Sequence, residues 1–304
     1  HVTYHSGQYD QVKDFKALAS KLEVLEGATP HVRLAYFSIP PSAFGSVIDN
    51  LCKGGVHRKK VGAGFRCILE KPMGHDSASF EELKTKLYSC FGEDEVCILD
   101  HYLGKEAVRN IYYLRFANPV IESLLKNTRV TRVQITAAES AGLDGRAGYF
   151  DAVGTFRDMF QSHLLQIAAL LTMRVQAEDT ALKASRLDAI RHFYLPPAAS
   201  LGEVVLQGQY GPGIVADKPA KGYREEDGVA KDSRAPTYAA MRLSSRAPRW
   251  EGVPFFLRSG KRLKAKETRV TIEFQESAPL LGKNLGAGRN RLDIILQGEA
   301  GLRL

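Results

Sequence analysis

The chain has 304 residues, 44% of them hydrophobic and 25% charged, with a formal net charge of +8 and a pI near 9.2. Those proportions exclude a disordered chain, and no apolar run reaches the length of a membrane-spanning helix. The residues from His1 to Asp10 lack the basic start and apolar middle of a signal peptide, so an intracellular, cytoplasmic protein with no membrane partner is expected.

From the N-terminus, His31 to Pro40 is an apolar run ended by two prolines, which predicts a buried strand; a helix follows from about Ser42 to Leu51. Phe65 to Glu70 predicts a second strand, stopped by Lys71-Pro72, and the pattern of strand, helix and strand implies a parallel βαβ unit. Asp76 or Ser77 can cap a helix running to about Phe91, and Val96 to Leu99 predicts a third short buried strand. Beyond residue 100 come helices over Gly104 to Arg115 and Phe150 to Met173. Strand-like runs follow the first of them at Val130 to Ala137, Ser200 to Tyr210, Ala239 to Leu243, Pro254 to Arg258, Arg269 to Phe274 and Leu292 to Gln297. Gly211 to Pro236, rich in glycine, proline and charge, predicts a surface loop.

The fold class expected is α/β plus α+β. Residues 1–100 would be the C-terminal half of a doubly wound, Rossmann-like coenzyme domain, and residues 101–304 an α+β substrate and dimerisation domain with a large, mainly antiparallel sheet. A doubly wound sheet opens with a strand, a glycine-rich turn and a helix, so the first half of that domain is expected outside these 304 residues.

Cys52, Cys67, Cys90 and Cys97 form no CxxC pair and have no histidine at zinc spacing, so they read as reduced, mostly buried thiols with neither a disulfide nor a metal site. The positive charge points to an anionic partner. The basic residues are scattered and the one dense run, His57-Arg58-Lys59-Lys60, is flanked by glycine, which favours a solvated loop over a nucleic-acid patch.

Three places carry residues suited to chemistry. Phe156, Phe160, Leu164, Ile167 and Leu171 recur at helical spacing and His163 falls within their stripe, which commits an imidazole to an apolar face; a core histidine bonded to one carbonyl is the bland alternative. Asp100 ends the third strand, where a doubly wound sheet puts its working residues, although aspartate also simply starts turns. His101, Tyr102 and Lys105 follow at a helix N-terminus, a ready anion site that suits a phosphate monoester. Glu70-Lys71-Pro72 places an ammonium at a strand end, with Pro72 restricting Lys71 to an extended conformation and open to a cis bond.

Taken together, the run Asp100-His-Tyr-Leu-Gly-Lys-Glu106 resembles the substrate-binding signature of the glucose-6-phosphate dehydrogenase family. It continues into Asn110 and Leu114-Arg-Phe-Ala-Asn118, and is joined by Glu70-Lys-Pro-Met-Gly74, Gly148-Tyr-Phe-Asp151, Arg157-Asp158, His163-Leu-Leu-Gln166, Lys221-Gly-Tyr223 and Gly252-Val-Pro-Phe255 in family order. The resemblance implies oxidation of glucose 6-phosphate with NADP, His163 being the general base and Asp100 the carboxylate that orients it. It further implies that His101, Tyr102 and Lys105 hold the phosphate, that Glu139, Asp158, Lys261, Lys266 and Gln297 line the sugar site, that Lys71 lies between sugar and coenzyme, and that Ser38 and Pro40 touch the coenzyme. A homodimer or homotetramer is implied as well, with no nucleic-acid partner.

Ile98 stands where many relatives carry arginine and Met73 where phenylalanine is usual. Of the positions that bind a second, structural NADP in animal relatives, Arg258 is kept, but Glu267, Thr271 and Ile295 occupy others, which implies an absent or altered site. Two alternatives remain at this point: another sugar oxidoreductase carrying Glu-Lys-Pro, and a catalytically silent phosphosugar or nucleotide binder.

Overall fold

The computed structural model describes residues 2–58, 63–174, 181–215, 217–276 and 289–304; Lys59 and Lys60 of the basic run lie outside these. The chain divides into two compact units, His1–Asp100 and His101–Leu304.

The first unit is a parallel three-stranded sheet, β1 (Val32–Phe37), β2 (Gly64–Glu70) and β3 (Val96–Leu99), in the order β1-β2-β3. Helices α1 (Val12–Glu26), α2 (Phe44–Lys53) and α3 (Ser77–Cys90) supply its apolar core, where Phe15, Phe44, Ile48, Leu51 and Leu87 pack with Phe37, Phe65, Cys67 and Leu69 of the strands. Asp76 caps α3 reciprocally: its carboxylate accepts the Ser79 N–H at 2.8 Å, and the Ser79 hydroxyl accepts the Asp76 N–H at 3.1 Å. The first and third strands, expected to be buried, are buried on one side at most. Val32, Leu34 and Tyr36 alternate outward, because strand side chains alternate sides and the described core lies against one of them, whereas the edge strand is exposed at three consecutive residues, Cys97, Ile98 and Leu99.

The cysteines also differ from expectation. Cys52 at the end of α2 and Cys90 at the end of α3 are joined as a disulfide across a Cα separation of 5.9 Å, while Cys67 is a buried free thiol and Cys97 an exposed one. Sequence spacing hides the pair, since 38 positions separate its members.

The second unit opens with α4 (His101–Gly104), α5 (Glu106–Phe116) and α6 (Pro119–Leu124). Among the described residues its sheet has eight strands. β13 (Gly301–Arg303), β12 (Arg291–Gln297), β11 (Glu267–Phe274), β4 (Val130–Ala138), β10 (Phe255–Gly260), β9 (Tyr238–Ser245) and β5 (Phe193–Tyr194) lie in that order, and β6 (Val205–Gly208) pairs with β9. Pairing is antiparallel except between β4 and β10. Against it packs a helical layer made of α7 (Ala147–Thr155), a π-helix (Phe156–Leu164), α8 (Leu165–Thr172) and α9 (Leu182–His192), with Phe160, Leu164, Ile167 and Leu171 meeting Val133, Ile135, Leu257 and Val270. Arg115, almost wholly buried, braces this layer, its guanidinium donating to Glu122 at 2.8 Å and to the Leu170 carbonyl at 2.8 Å.

Three expectations are corrected here. The predicted continuous helix from Phe150 to Met173 is broken: Gly154 adopts φ +65°, a conformation that favours glycine, and the nine residues from Phe156 to Leu164 wind as a π-helix. Gly211 to Pro236 is more than a surface loop. It carries the hairpin β7 (Gly213–Val215) and β8 (Lys218–Ala220), and Tyr223 is fully buried beside Phe150, Leu143 and Ala147. The strand expected over Ser200 to Tyr210 is confined to Val205–Gly208 and follows a 3-10 turn.

Candidate active site

In the first unit the carboxyl ends of the parallel strands lie along one edge. Phe37 pairs in register with Leu69, so Ser38 and Pro40 leave β1 close to where Lys71 leaves β2; Glu70 pairs with Leu99, so Lys71 and Asp100 emerge side by side. The Lys71–Pro72 bond is cis. Glu70 is held by the Tyr36 phenol, whose proton is retained more strongly than usual because the carboxylate accepts it. A hydroxyl, an ammonium and a carboxylate thus stand along the carboxyl edge of parallel strands, the edge beyond which sheets of this kind bind ligands.

In the second unit α4 is a single turn, and Lys105 interrupts the helix expected over Gly104 to Arg115. With φ −72° and ψ 126°, Lys105 is the N-cap of α5, beside the helix's unsatisfied N–H groups. Tyr102 is buried, and the Lys105 Nζ sits 3.9 Å from the centre of its ring. On Tyr102 lies His163, only 2% exposed, with ring centroids 3.9 Å apart and planes inclined by 19°. The His101 ring stands edge-on to His163 at 4.6 Å. Two imidazoles, one phenol and one ammonium, all expected to act from the sequence, therefore form a single cluster. His163 reaches it from the π-helix, where wider winding turns its side chain relative to an ordinary helix.

A second group gathers at one edge of the large sheet. Because β4 and β10 are parallel, Glu139 and Lys261 both leave at the same end, and the buried Lys261 ammonium pairs with the Glu139 carboxylate. Lys261 Nζ also lies 5.1 Å from the centre of the Phe150 ring. Glu267 opposes Ala138 at that edge, which puts the exposed Lys266 beside Glu139; the end of β12 brings Gln297 to Thr268, whose hydroxyl lies 3.3 Å from its side-chain oxygen. Gln297 is thus engaged with the sheet. Asp158 contacts Tyr149, whose phenol is pushed up to about 12, first by burial and then by the Asp158 charge. The two groups are linked through the helical layer, because Phe150 touches Lys261 and His163 touches Tyr102.

Tyr149, Asp151 and Tyr223 stand within the sequence motifs, yet no site role follows from their spacing. Tyr223 donates to Asp151 at 2.8 Å and Ser233 donates to the same carboxylate, so the hairpin region is tied to α7. Nothing in their spacing announces this, since 72 residues separate Tyr223 from Asp151.

Residues 112–304 match the family model described as glucose-6-phosphate dehydrogenase, C-terminal domain, and residues 1–110 the one described as glucose-6-phosphate dehydrogenase, NAD binding domain. The chain belongs to the glucose-6-phosphate dehydrogenase family. It is 39% identical to the glucose-6-phosphate 1-dehydrogenase of Chlamydia pneumoniae over 90% of this chain and 54% of that protein. It is also 39% identical to the Schizosaccharomyces pombe enzyme of the same name, over 98% of this chain and 58% of that one. Among solved structures it resembles a glucose-6-phosphate dehydrogenase in complex with its substrate glucose-6-phosphate, with a TM-score of 0.85 and 33% identity over 98% of this chain and 60% of the other. The Mycobacterium avium glucose-6-phosphate 1-dehydrogenase gives a TM-score of 0.83 at 32% identity, covering 99% and 63%. The chain thus spans somewhat more than half the length of the glucose-6-phosphate dehydrogenases it matches. The family signature Asp100 to Glu106 coincides with the turn and N-cap that carry the aromatic and cationic cluster.

Proposed function

We propose that the intact protein oxidises glucose 6-phosphate to 6-phosphoglucono-1,5-lactone, with NADP as the hydride acceptor. The observation that carries this reading is the buried His163 stacked on Tyr102 beside His101 and Lys105, a proton acceptor next to an anion site. His163 takes the proton of the anomeric hydroxyl as C1 loses hydride. Asp100, one residue before His101, orients the imidazole and stabilises its charged form. His101, Tyr102 and Lys105 hold the phosphate, where a helix N-terminus and an ammonium favour a dianion.

Glu139, Asp158, Lys261, Lys266 and Gln297 line the sugar side, with Lys71 between sugar and coenzyme and Ser38 and Pro40 on the coenzyme. The Glu139 carboxylate pairs with the Lys261 ammonium and holds it at the sheet edge. The net positive charge suits two phosphorylated ligands. No described helix is long and apolar enough to cross a membrane, and a homodimer or homotetramer in the cytoplasm completes the reading.

Purified intact protein mixed with glucose 6-phosphate and NADP should generate the near-ultraviolet absorbance of reduced coenzyme. Absence of that signal, with tight sugar-phosphate binding retained, would favour a silent binder and end this reading.

A further inference from the structure

Away from the candidate active site, α2 and α3 end at a common corner of the first unit. Cys52 lies in the last turn of α2, Cys90 closes α3, and His57 follows in the loop after α2. All three side chains are half-buried, and a ligand atom from each lies within 4.8 Å of the other two. The His57 Nδ1 is 3.4 Å from the Leu51 carbonyl oxygen, and Phe91 stands edge-on to the ring at 6.1 Å. A carbonyl only accepts, so Nδ1 carries the proton and Nε2 keeps its lone pair. That arrangement orients histidine ligands in metal sites.

We infer that, once reduced, this corner binds a thiophilic divalent cation of the zinc class through Cys52 Sγ, Cys90 Sγ and the His57 imidazole. Two thiolates and an imidazole are the donors such ions prefer; at about 2.3 Å per Zn–S bond, tetrahedral sulfurs stand roughly 3.8 Å apart, inside the span the three residues already occupy. The position favours a cation for a second reason. Two helices direct their carbonyl ends here, and that partial negative charge opposes bare thiolates but welcomes a metal held between them. Cys97, an exposed free thiol in the same unit, suits surroundings in which the Cys52–Cys90 pair is reduced. The chemistry balances: a dithiol or phosphine reductant supplies two electrons, the S–S bond breaks, two protons complete the thiols, and the incoming cation displaces those protons.

Sequence spacing conceals the site, because Cys90 lies 38 positions from Cys52. The test uses the intact protein, oxidised and phosphine-reduced, titrated with Co2+ and then competed with Zn2+. The reduced form should take up one Co2+ with a thiolate-to-cobalt charge-transfer band that Zn2+ abolishes, and the oxidised form should show none. Replacing His57 by alanine should weaken binding by about tenfold or more. Cys52→Ser should remove the band, and Cys97→Ser should leave it intact. No band in the reduced wild-type protein, equal binding by the oxidised form, or a band that survives Cys52→Ser would each overturn the inference. The wild-type comparison decides the matter even if a variant fails to fold.

Discussion

Tyr102 lies face to face on His163, with ring centroids 3.9 Å apart and planes 19° from parallel. A ring stacked in this way has one face closed and its rotation restricted, so its nitrogens are left to approach from the edges. An imidazole held like that can serve as a proton acceptor in a fixed direction, provided that its charged form is stabilised.

His163→Asn keeps the volume and one polar edge while removing the base. Turnover of glucose 6-phosphate by the intact protein should fall roughly 10²- to 10⁴-fold with KM nearly unchanged. Steady-state kinetics read both constants; an unaltered kcat would take His163 out of the reaction.

Lys105→Ala should act on binding. Losing one charge-assisted contact to phosphate is worth about 1.5–3 kcal/mol, so KM for the sugar phosphate should rise roughly ten- to a hundredfold with a smaller change in kcat. Unphosphorylated glucose provides the control, since its weak turnover should not respond. A kcat loss equal to the gain in KM would place Lys105 in the chemical step instead.

Much of this arrangement is legible in the sequence, and the rest is hidden for identifiable reasons. Asp100 to Lys105 form one uninterrupted stretch, so strand end, turn and N-cap can be read together, and the apolar stripe through Phe160, Leu164 and Ile167 places His163 indoors. The pairing of Glu139 with Lys261 depends on β4 and β10 running parallel, a non-local choice that no periodicity records. Helix α1 could have been read, since Phe15, Leu18, Ala19 and Leu22 follow helical spacing and belong to the core of the first unit. The composition of Gly211 to Pro236 misleads because the glycines and prolines are genuine turn formers, while one tyrosine within the segment supplies its anchor.

Tyr223→Phe tests that anchor. Removing a buried hydroxyl that donates to the Asp151 carboxylate should cost about 1.5–3 kcal/mol, read as a lower midpoint in urea denaturation. Kinetic constants measured well below the transition should change little, because Ser233 still holds Asp151.

Alkaline stability follows from four groups: the buried Cys67 and Tyr223, the half-buried Tyr210, and Tyr149, which is 36% exposed. Burial pushes the Cys67 thiol up to about 12 from an ordinary 9.0, with the Cys97 and Glu95 charges adding to it. Burial likewise raises Tyr149 to about 12 from 10.0, helped by Asp158. Burial also lifts Tyr210 and Tyr223, with bonds to Glu226 and Asp151 adding to it. The folded protein therefore holds these protons more tightly than the unfolded chain does. Their contribution is whole below the unfolded values, 9.0 for the thiol and 10.0 for the phenols, and is lost as pH rises toward 12. The urea midpoint should accordingly be lower at about pH 11 than at about pH 8. An unchanged midpoint would mean that the unfolded chain keeps the same protons.

The break at Gly154 bears on which changes the protein can survive. A methyl group there would come within 3.2 Å of the Pro236 ring, on a backbone that left-handed φ already reserves for glycine. Since the π-winding begins two residues later, this position sets the phase in which His163 is delivered. Damage to the reaction can thus arise from a residue with no functional group at all, and a variant at 154 would be misjudged if only chemically reactive side chains were counted.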